Sequence, residues 1–199
     1  MDLRTKKITK DSRIILVMPS YKEGVRSLFV FHEDQAIGSK PPLGLMSIAT
    51  YLKKEGFSSI EIFDASLENL SPEQTASCLA RMHPDVAGFS VMTDVWYSTV
   101  RTCELVKKML PDTIICLGGP HALIYPELSL AAASADLLVA GDGEFAFREA
   151  LDKLMAGNPP DGINGVFWKD PDGQIRSPAV SIAAMDDLDT LPGPDRSMI

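Results

Sequence analysis

Short apolar runs alternate with amphipathic segments along most of this 199-residue chain, and this alternation restricts its fold more than any other feature. Five runs consist mainly of apolar and β-branched residues: RIILVM, IEIF, DVAGFSV, TIICL and DLLVA, which begin at residues 13, 60, 85, 113 and 136. Continuous runs of this kind are typical of strands that are covered on both faces, as in a parallel sheet. The intervening segments place apolar residues at helical spacing, so each of them predicts a helix.

Five successive β-α units predict an α/β domain with a doubly wound, five-stranded parallel sheet, flavodoxin-like or Rossmann-like, in the strand order 2-1-3-4-5. Ser71 and Gln74 have the spacing of a capping box at the start of the second helix, and Gly56 predicts the end of the first. The sequence GINGVFWKDPDGQIRS, from residue 162, predicts a C-terminal β-hairpin. The expected division of the chain is an N-terminal tail (1–12), the α/β domain (13–160), the hairpin (161–182) and an acidic, proline-rich linker (183–199).

Composition argues against several classes of partner. The net charge of −8 comes without any cluster of lysine and arginine, so we expect no nucleic acid partner. The polar N-terminus does not look like a secretory signal, and no apolar run approaches the roughly 20 residues of a membrane helix, so we expect a cytoplasmic protein without membrane contact. Cys78, Cys103 and Cys116 are far apart and odd in number, which predicts reduced thiols rather than disulfides or metal ligands.

The segments that follow the strands are the candidate site, because open α/β sheets bind ligands at their carboxyl edge. They are SKPPLGL, FSVMTD, LGGPHA and GDGEFAF. The connection from Pro19 to about Pro42 exceeds the ~12–15 residues usual for a loop in a compact domain and lies at the same edge. Glycines, hydroxyls and apolar residues dominate there and cations are few. This mixture favours a large, mostly apolar ligand with neutral hydrogen-bonding groups over a small polyanion.

Catalytic motifs are missing from this edge. The sequence has no phosphate-binding G-x-x-x-x-G-K-[ST], GFSVM departs from the nucleophile motif G-x-S-x-G, and the three histidines lack zinc-binding spacing. GDGEFAF fits G-x-G-x-x-A but lacks the acidic residue about 20 positions later that would contact a ribose. Two alternatives stay open here: a flavodoxin-like regulatory or interaction domain without cofactor, and a flavin- or nucleotide-binding domain.

The ordered segments PPLGLMSIATYLKKEGF, IEIFDAS, PDVAGFSVMT, LGGPHA, DLLVAGDGE and MDDLDTLPGPDR resemble the cobalamin-binding N-terminal domain of cobalamin-dependent radical S-adenosylmethionine (SAM) enzymes. The likeness covers about residues 13–199. That family includes carbon and phosphorus methyltransferases and the anaerobic magnesium-protoporphyrin monomethyl ester cyclase. The resemblance implies that this domain holds cobalamin for methyl transfer or cyclase chemistry and is not catalytic alone.

The resemblance also implies a partner, a C-terminal radical SAM domain that would hold a [4Fe–4S] cluster and SAM. The chain ends before the Cys-x-x-x-Cys-x-x-Cys motif of such a domain, so we expect an N-terminal module with residues 183–199 leading toward it. We expect neither catalytic residues nor protein ligands to a metal in the module itself.

The site residues follow from the same resemblance. Relatives in the wider cobalamin fold carry Asp-x-His-x-x-Gly after the first strand, but no histidine of this chain has an aspartate two positions before it, so cobalamin would be held without that ligand. Glycines after the fourth strand would leave room for the nucleotide tail of cobalamin, while the corrin would lie across the edge of the sheet. The expected cofactor-binding residues are Pro42, Leu43, Gly44, Ser90, Val91, Met92, Thr93, Gly118, Gly119, His121, Gly141, Asp142, Gly143 and Glu144.

Overall fold

A seven-stranded sheet in the order β2-β1-β3-β4-β5-β6-β7 forms the centre of the computed structural model, which describes residues 2–22, 41–184 and 187–198. The strands of these residues are β1 (Ile14–Met18), β2 (Ile60–Asp64), β3 (Val86–Ser90), β4 (Ile114–Gly118), β5 (Leu137–Val139), β6 (Val166–Lys169) and β7 (Ile175–Arg176). The α-helices are α1 (Leu43–Lys54), α2 (Pro72–Met82), α3 (Trp96–Met109), α4 (Pro120–Ile124), α5 (Pro126–Ala132) and α6 (Gly143–Met155).

Strands β1 to β5 are parallel and have the predicted order 2-1-3-4-5. The predicted hairpin is also present, but it is part of the same sheet, because β6 pairs antiparallel with β5. Asp170 closes its turn, since one carboxylate oxygen accepts hydrogen bonds from the backbone of Asp172 and Gln174 and the other pairs with Arg176. The hairpin thus covers β5, which would otherwise be an exposed edge strand.

Helices cover both faces of the sheet, which explains why the strands are apolar throughout. Alternate residues of β1 enter two different cores: Ile14 and Leu16 pack in the core beneath α1 and α6, and Ile15 and Val17 pack in the core on the α2 and α3 face. A strand that buries both of its faces needs apolar residues at successive positions.

Helix boundaries follow the sequence signals closely. The Ser71 hydroxyl accepts a hydrogen bond from the Gln74 backbone, and the Gln74 side chain accepts one from the Ser71 backbone, which is the predicted capping box. The short helix expected over ELSLAAAS is present as α5, and a second short helix, α4, precedes it. The chain breaks between them at Tyr125, because the residue before a proline avoids helical backbone angles and Pro126 has no N–H to donate.

Both ends of the described chain pack on the face that carries α1 and α6. Leu3 and Ile8, from the predicted N-terminal tail, are buried in that core. Ala183 forms a parallel β-bridge with Gly141, and the Asp195 backbone donates a hydrogen bond of 2.9 Å to the Thr50 hydroxyl on α1. The predicted long connection after β1 lies mostly outside the described residues. Within the described ranges, no helix combines the length and apolarity required to cross a membrane.

Candidate functional site

A cavity of about 300 Å³ opens at the carboxyl edge of the sheet, between the sheet and helices α1 and α6. We call it the slot. Strands β1, β3, β4 and β5 provide one wall, and the first turns of the two helices provide the other. Eight of the predicted site residues line it: Gly44, Ser90, Gly118, Gly119, Gly141, Asp142, Gly143 and Glu144.

The strand register places the wall residues in two rows. Leu16, Gly88 and Cys116 lie side by side on β1, β3 and β4 and form the inner row. Ser90 and Gly118 pair two residues further along, at the carboxyl ends of β3 and β4, and form the outer row. Since strand side chains alternate between faces, residues two apart point to the same side, so both rows line the same slot.

The inner row was missed by the sequence analysis, and Gly88 is its most informative member. A β-carbon built on Gly88 would lie 3.0 Å from Leu16 Cδ2 and 4.0 Å from Phe147 Cζ, so any side chain there would reduce the space within the slot. The available signal was a glycine inside an otherwise apolar strand, which often marks a close approach by a ligand or another backbone.

The two glycines at the carboxyl end of β4, Gly118 and Gly119, have different surroundings. Gly119 has a φ of +89°, and a β-carbon there would lie 2.7 Å from the backbone nitrogen of Val91. The protein's own backbone therefore excludes a side chain at Gly119. At Gly118 the nearest atoms to a β-carbon would be the carbonyl oxygens of Val139 at 3.7 Å and Phe89 at 3.9 Å, which are ordinary contacts. The fold itself does not require glycine at 118, so the space beside it is available to a ligand.

The glycines at the start of α6, Gly141 just before it and Gly143 as its first residue, serve the packing of the protein. Gly141 has a φ of +114°, and a β-carbon there would overlap the backbone of Ala183, the residue of the β-bridge. A β-carbon on Gly143 would lie 2.7 Å from Ile48 Cδ1, where α6 packs against α1. Gly44, at the start of α1, differs from both because a β-carbon there would meet nothing within 4 Å.

Acidic side chains lie at the mouth of the slot. Asp142 precedes the first turn of α6 and Glu144 is within it, where the positive end of the helix dipole favours carboxylates. The Asp142 backbone donates a hydrogen bond of 2.9 Å to the Ala183 carbonyl, which fixes this turn at the edge of the sheet. The two carboxylates can accept hydrogen bonds from amide groups of a ligand seated across the mouth.

The other predicted residues surround the edge without lining the slot; they are Pro42, Leu43, Val91, Met92, Thr93 and His121. Leu43 and Met92 are 52% and 38% exposed, so they offer apolar surface at the edge. Val91 is buried on the opposite face of the sheet, where its backbone bonds to Gly118.

His121 lies on the α3 side of the sheet. Its ring stacks on Trp96 with centroids 4.4 Å apart, and its Nδ1 is 3.2 Å from the Thr93 hydroxyl. Burial lowers the pKa of this imidazole, so it stays neutral to a lower pH than an exposed histidine. These contacts describe a packed side chain that holds α4 against α3.

The slot fits the nucleotide tail of cobalamin. It has an apolar inner row for a planar base, a hydroxyl and unhindered backbone at Gly118, and carboxylates at the mouth for the corrin amides. Histidine is not among the lining residues, and the part of the chain that the structure describes contains no group of three or more metal-ligating side chains. The described residues that line the slot therefore suit the organic part of the cofactor.

Comparison with known families agrees with this geometry. The model of the B12 binding domain family matches residues 36–151, which is more than half of the chain. The chain therefore belongs to the B12-binding domain family, as the sequence resemblance predicted.

Within that family the chain is similar to modules of larger enzymes. It is 28% identical over 170 residues to an uncharacterized methyltransferase of Pyrococcus horikoshii, covering 84% of this chain and 35% of that protein. It is 27% identical over 167 residues to the anaerobic magnesium-protoporphyrin IX monomethyl ester cyclase of Rubrivivax gelatinosus, covering 82% and 29%. The solved structure of the cobalamin-dependent SAM radical enzyme OxsB with aqua-cobalamin bound has the same fold, with a TM-score of 0.71 and 19% identity over 92% of this chain and 24% of that one.

These matches confirm the predicted resemblance to the cobalamin-binding modules of radical SAM methyltransferases and cyclases. The chain spans about a third of the length of the curated relatives that it matches. The two alternatives, a regulatory domain without cofactor and a flavin- or nucleotide-binding domain, are not favoured.

Proposed function

We propose that this domain binds cobalamin with the nucleotide tail in the slot and the corrin across the carboxyl edge of the sheet. One observation is the main support: Gly118 faces a cavity of about 300 Å³ although the fold has room for a side chain there. Where the fold has room for a side chain and the residue is still glycine, the free space beside it can be filled by a ligand.

The neighbouring residues would share the work of binding. Backbone groups at Gly118 and Gly44 allow close approach of the tail, and the Ser90 hydroxyl can hydrogen-bond to it. Asp142 and Glu144 would accept hydrogen bonds from corrin amides. The apolar side chains at the edge, Leu43 and Met92, would pack under the macrocycle. When bound, cobalamin supplies a cobalt centre whose group-transfer chemistry the polypeptide alone cannot provide, and the domain binds and orients it.

The proposal includes a catalytic partner. Relatives that are more than twice as long as this chain support a radical SAM domain that follows it and contains a [4Fe–4S] cluster and SAM. The carboxyl edge would then present the exposed face of the corrin to that domain for methyl transfer or cyclase chemistry. The three unpaired cysteines suit a reducing compartment, and we place the protein in the cytoplasm on that ground.

Retention of cobalamin tests the proposal directly. The purified chain, incubated with hydroxocobalamin, is expected to keep corrin absorbance through gel filtration. Gly118→Val should lose this absorbance and remain folded, because valine suits a strand and its side chain would occupy the slot. Gly193→Val is the matched control, since a β-carbon at Gly193 meets nothing within 4 Å and this glycine does not line the slot. A colourless wild-type fraction, or a Gly118→Val protein that binds as well as wild type, contradicts the proposal.

A further inference from the structure

The slot changes from polar to apolar along its depth. At the mouth lie the Ser90 hydroxyl and the carboxylates of Asp142 and Glu144. The inner row, two residues earlier on the same strands, has Leu16, Gly88 and Cys116 instead. A group that enters between the strands and helices therefore passes a polar rim and ends in apolar surroundings.

The helix side of the inner end is apolar as well. Phe147 of α6 lies next to Gly88 at this end, and Leu45 and Ile48 of α1 line the same side of the slot; Leu45 and Phe147 are almost fully buried. The one heteroatom side chain there is the Cys116 thiol, whose pKa is raised by burial and which therefore stays a neutral S–H. A thiol is a weak hydrogen-bond donor and acceptor. Among the described residues that line this end, no side chain offers a strong partner to a polar ligand group.

We propose that the slot selects corrinoids by the chemistry of the base on the nucleotide tail, and that it favours 5,6-dimethylbenzimidazole over adenine. The inference rests on the proposed function. Dimethylbenzimidazole has one ring nitrogen to pair when it is not bound to cobalt, and Ser90 can serve it. Adenine adds further ring nitrogens and an exocyclic amine, and these would face Leu16, Phe147 and a weak thiol. One buried polar group without a partner lowers affinity by about tenfold.

Cys116 provides a way to change this preference with little change of shape. Cys116→Ser replaces the weak thiol by a hydroxyl that both donates and accepts hydrogen bonds, at the inner end of the slot. Cys103→Ser is the matched control, because Cys103 is equally buried but belongs to the core on the opposite face of the sheet. The same chemical change is therefore made once inside the slot and once away from it.

The experiment measures the affinity of the 199-residue chain for three corrinoids by equilibrium dialysis. The probes are cobalamin, adeninylcobamide, and cobinamide, which has no nucleotide tail. We expect cobalamin to bind at least about tenfold more tightly than adeninylcobamide, and cobinamide to bind weakly. Cys116→Ser should reduce the cobalamin preference several-fold, while Cys103→Ser should leave the ratio unchanged. Circular dichroism establishes that each variant is folded, and the wild-type ratio decides the question if Cys116→Ser does not fold.

Different failures are distinguishable. Equal affinities for cobalamin and adeninylcobamide would overturn the inferred selectivity while leaving cobalamin binding intact. Cobinamide binding as tightly as cobalamin would overturn it too, because the tail would then contribute nothing in the slot. If no corrinoid binds, both the selectivity and the proposed function are wrong.

Discussion

Gly119 lies directly against the backbone of Val91, and a β-carbon on Gly119 would come within 2.7 Å of the Val91 nitrogen. Two hydrogen bonds create this close approach. The Val91 N–H donates to the Gly118 carbonyl at 2.8 Å, and the Val91 carbonyl accepts from the His121 N–H at 3.0 Å. The loop after β3 and the start of α4 are thereby joined at the carboxyl edge, which fixes the backbone beside the slot.

This contact predicts losses of stability of different size for alanine at two adjacent glycines. Gly119→Ala should lower the free energy of unfolding by about 1–3 kcal/mol, because it forces an L-residue to a positive φ and against a backbone. Gly118→Ala should change the free energy of unfolding by less than about 1 kcal/mol, since its β-carbon would make only ordinary van der Waals contacts. Urea denaturation followed by circular dichroism compares the two variants. Similar losses at both positions would mean that Gly118 is also needed by the fold.

Bound cobalamin is expected to protect Cys116 from a small neutral thiol reagent. Cys116 lines the slot, and burial raises the pKa of its thiol, so its modification should be slow without ligand and slower still with hydroxocobalamin bound. Peptide mass spectrometry measures the rate at each cysteine. Cys103, whose pKa burial raises to about 12, lies in the other core and acts as the internal control. If bound hydroxocobalamin slowed the modification of Cys103 and Cys116 equally, the effect would be general stabilisation of the fold rather than occupancy of the slot.

His121 predicts a loss of stability in mild acid. Burial lowers its pKa in the folded state below the ordinary value of 6.5, so the unfolded chain takes up the proton first as pH falls. The free energy of unfolding should therefore decrease below about pH 6.5 and be fully retained above it. Denaturation at pH 7.5 and 5.5 measures the difference.

His121→Gln should reduce that difference, because glutamine does not titrate. His83→Asn is the control at an exposed histidine, chosen because asparagine tolerates the left-handed backbone conformation of residue 83. An unchanged acid sensitivity in His121→Gln would show that other groups cause it.

The ion pair between Lys107 and Asp136 should matter more for stability than an exposed pair. The Asp136 carboxylate lies 2.6 Å from the Lys107 ammonium and accepts a hydrogen bond from the Ile115 N–H at 2.7 Å, and both side chains are largely buried. Asp136→Ala removes the charged partner of Lys107, which keeps its hydrogen bond to the Thr113 carbonyl, and it removes the acceptor of the Ile115 N–H; it should cost about 3 kcal/mol.

Glu61→Ala provides the comparison. Glu61 forms an exposed ion pair with Arg13, so removing its carboxylate should lower the free energy of unfolding by less than about 1 kcal/mol. Urea denaturation of both variants gives the two values. Equal losses of unfolding free energy in the two variants would mean that the buried pair contributes no more to stability than the exposed pair does.

Much of the fold could be predicted from local sequence. Continuous apolar runs identified the five parallel strands, because each strand buries both faces, as the split of β1 between two cores shows. Ser71 and Gln74 identified a helix start because a capping box depends on residues only three positions apart. The pairing of β6 with β5 was not predictable in this way, since it joins segments separated by the whole of α6.

The sequence identified the segments that form the candidate site, but it did not identify the face of the sheet on which each side chain lies, because that depends on residues far apart in the chain. The loops at the carboxyl edge were identified because parallel strands bring their ends together. Their side chains could not be separated by face from the sequence: Ser90 and Gly118 line the slot, whereas His121, expected among the cofactor-binding residues, stacks on Trp96 on the α3 side of the sheet. Gly88 and Cys116 were missed because they lie within strands, where apolar sequence signals only a core.

The amino-acid sequence by itself determined the β-α repeat, the glycine-rich carboxyl edge and the resemblance to cobalamin-binding modules, because each depends on residue type and order. Only the tertiary structure decided which glycine the backbone itself requires and which one faces a cavity. That distinction depends on what lies opposite each α-carbon: for Gly119 it is the backbone of Val91, and for Gly118 it is a cavity. The neighbours across a sheet come from other strands, and no local sequence pattern specifies them.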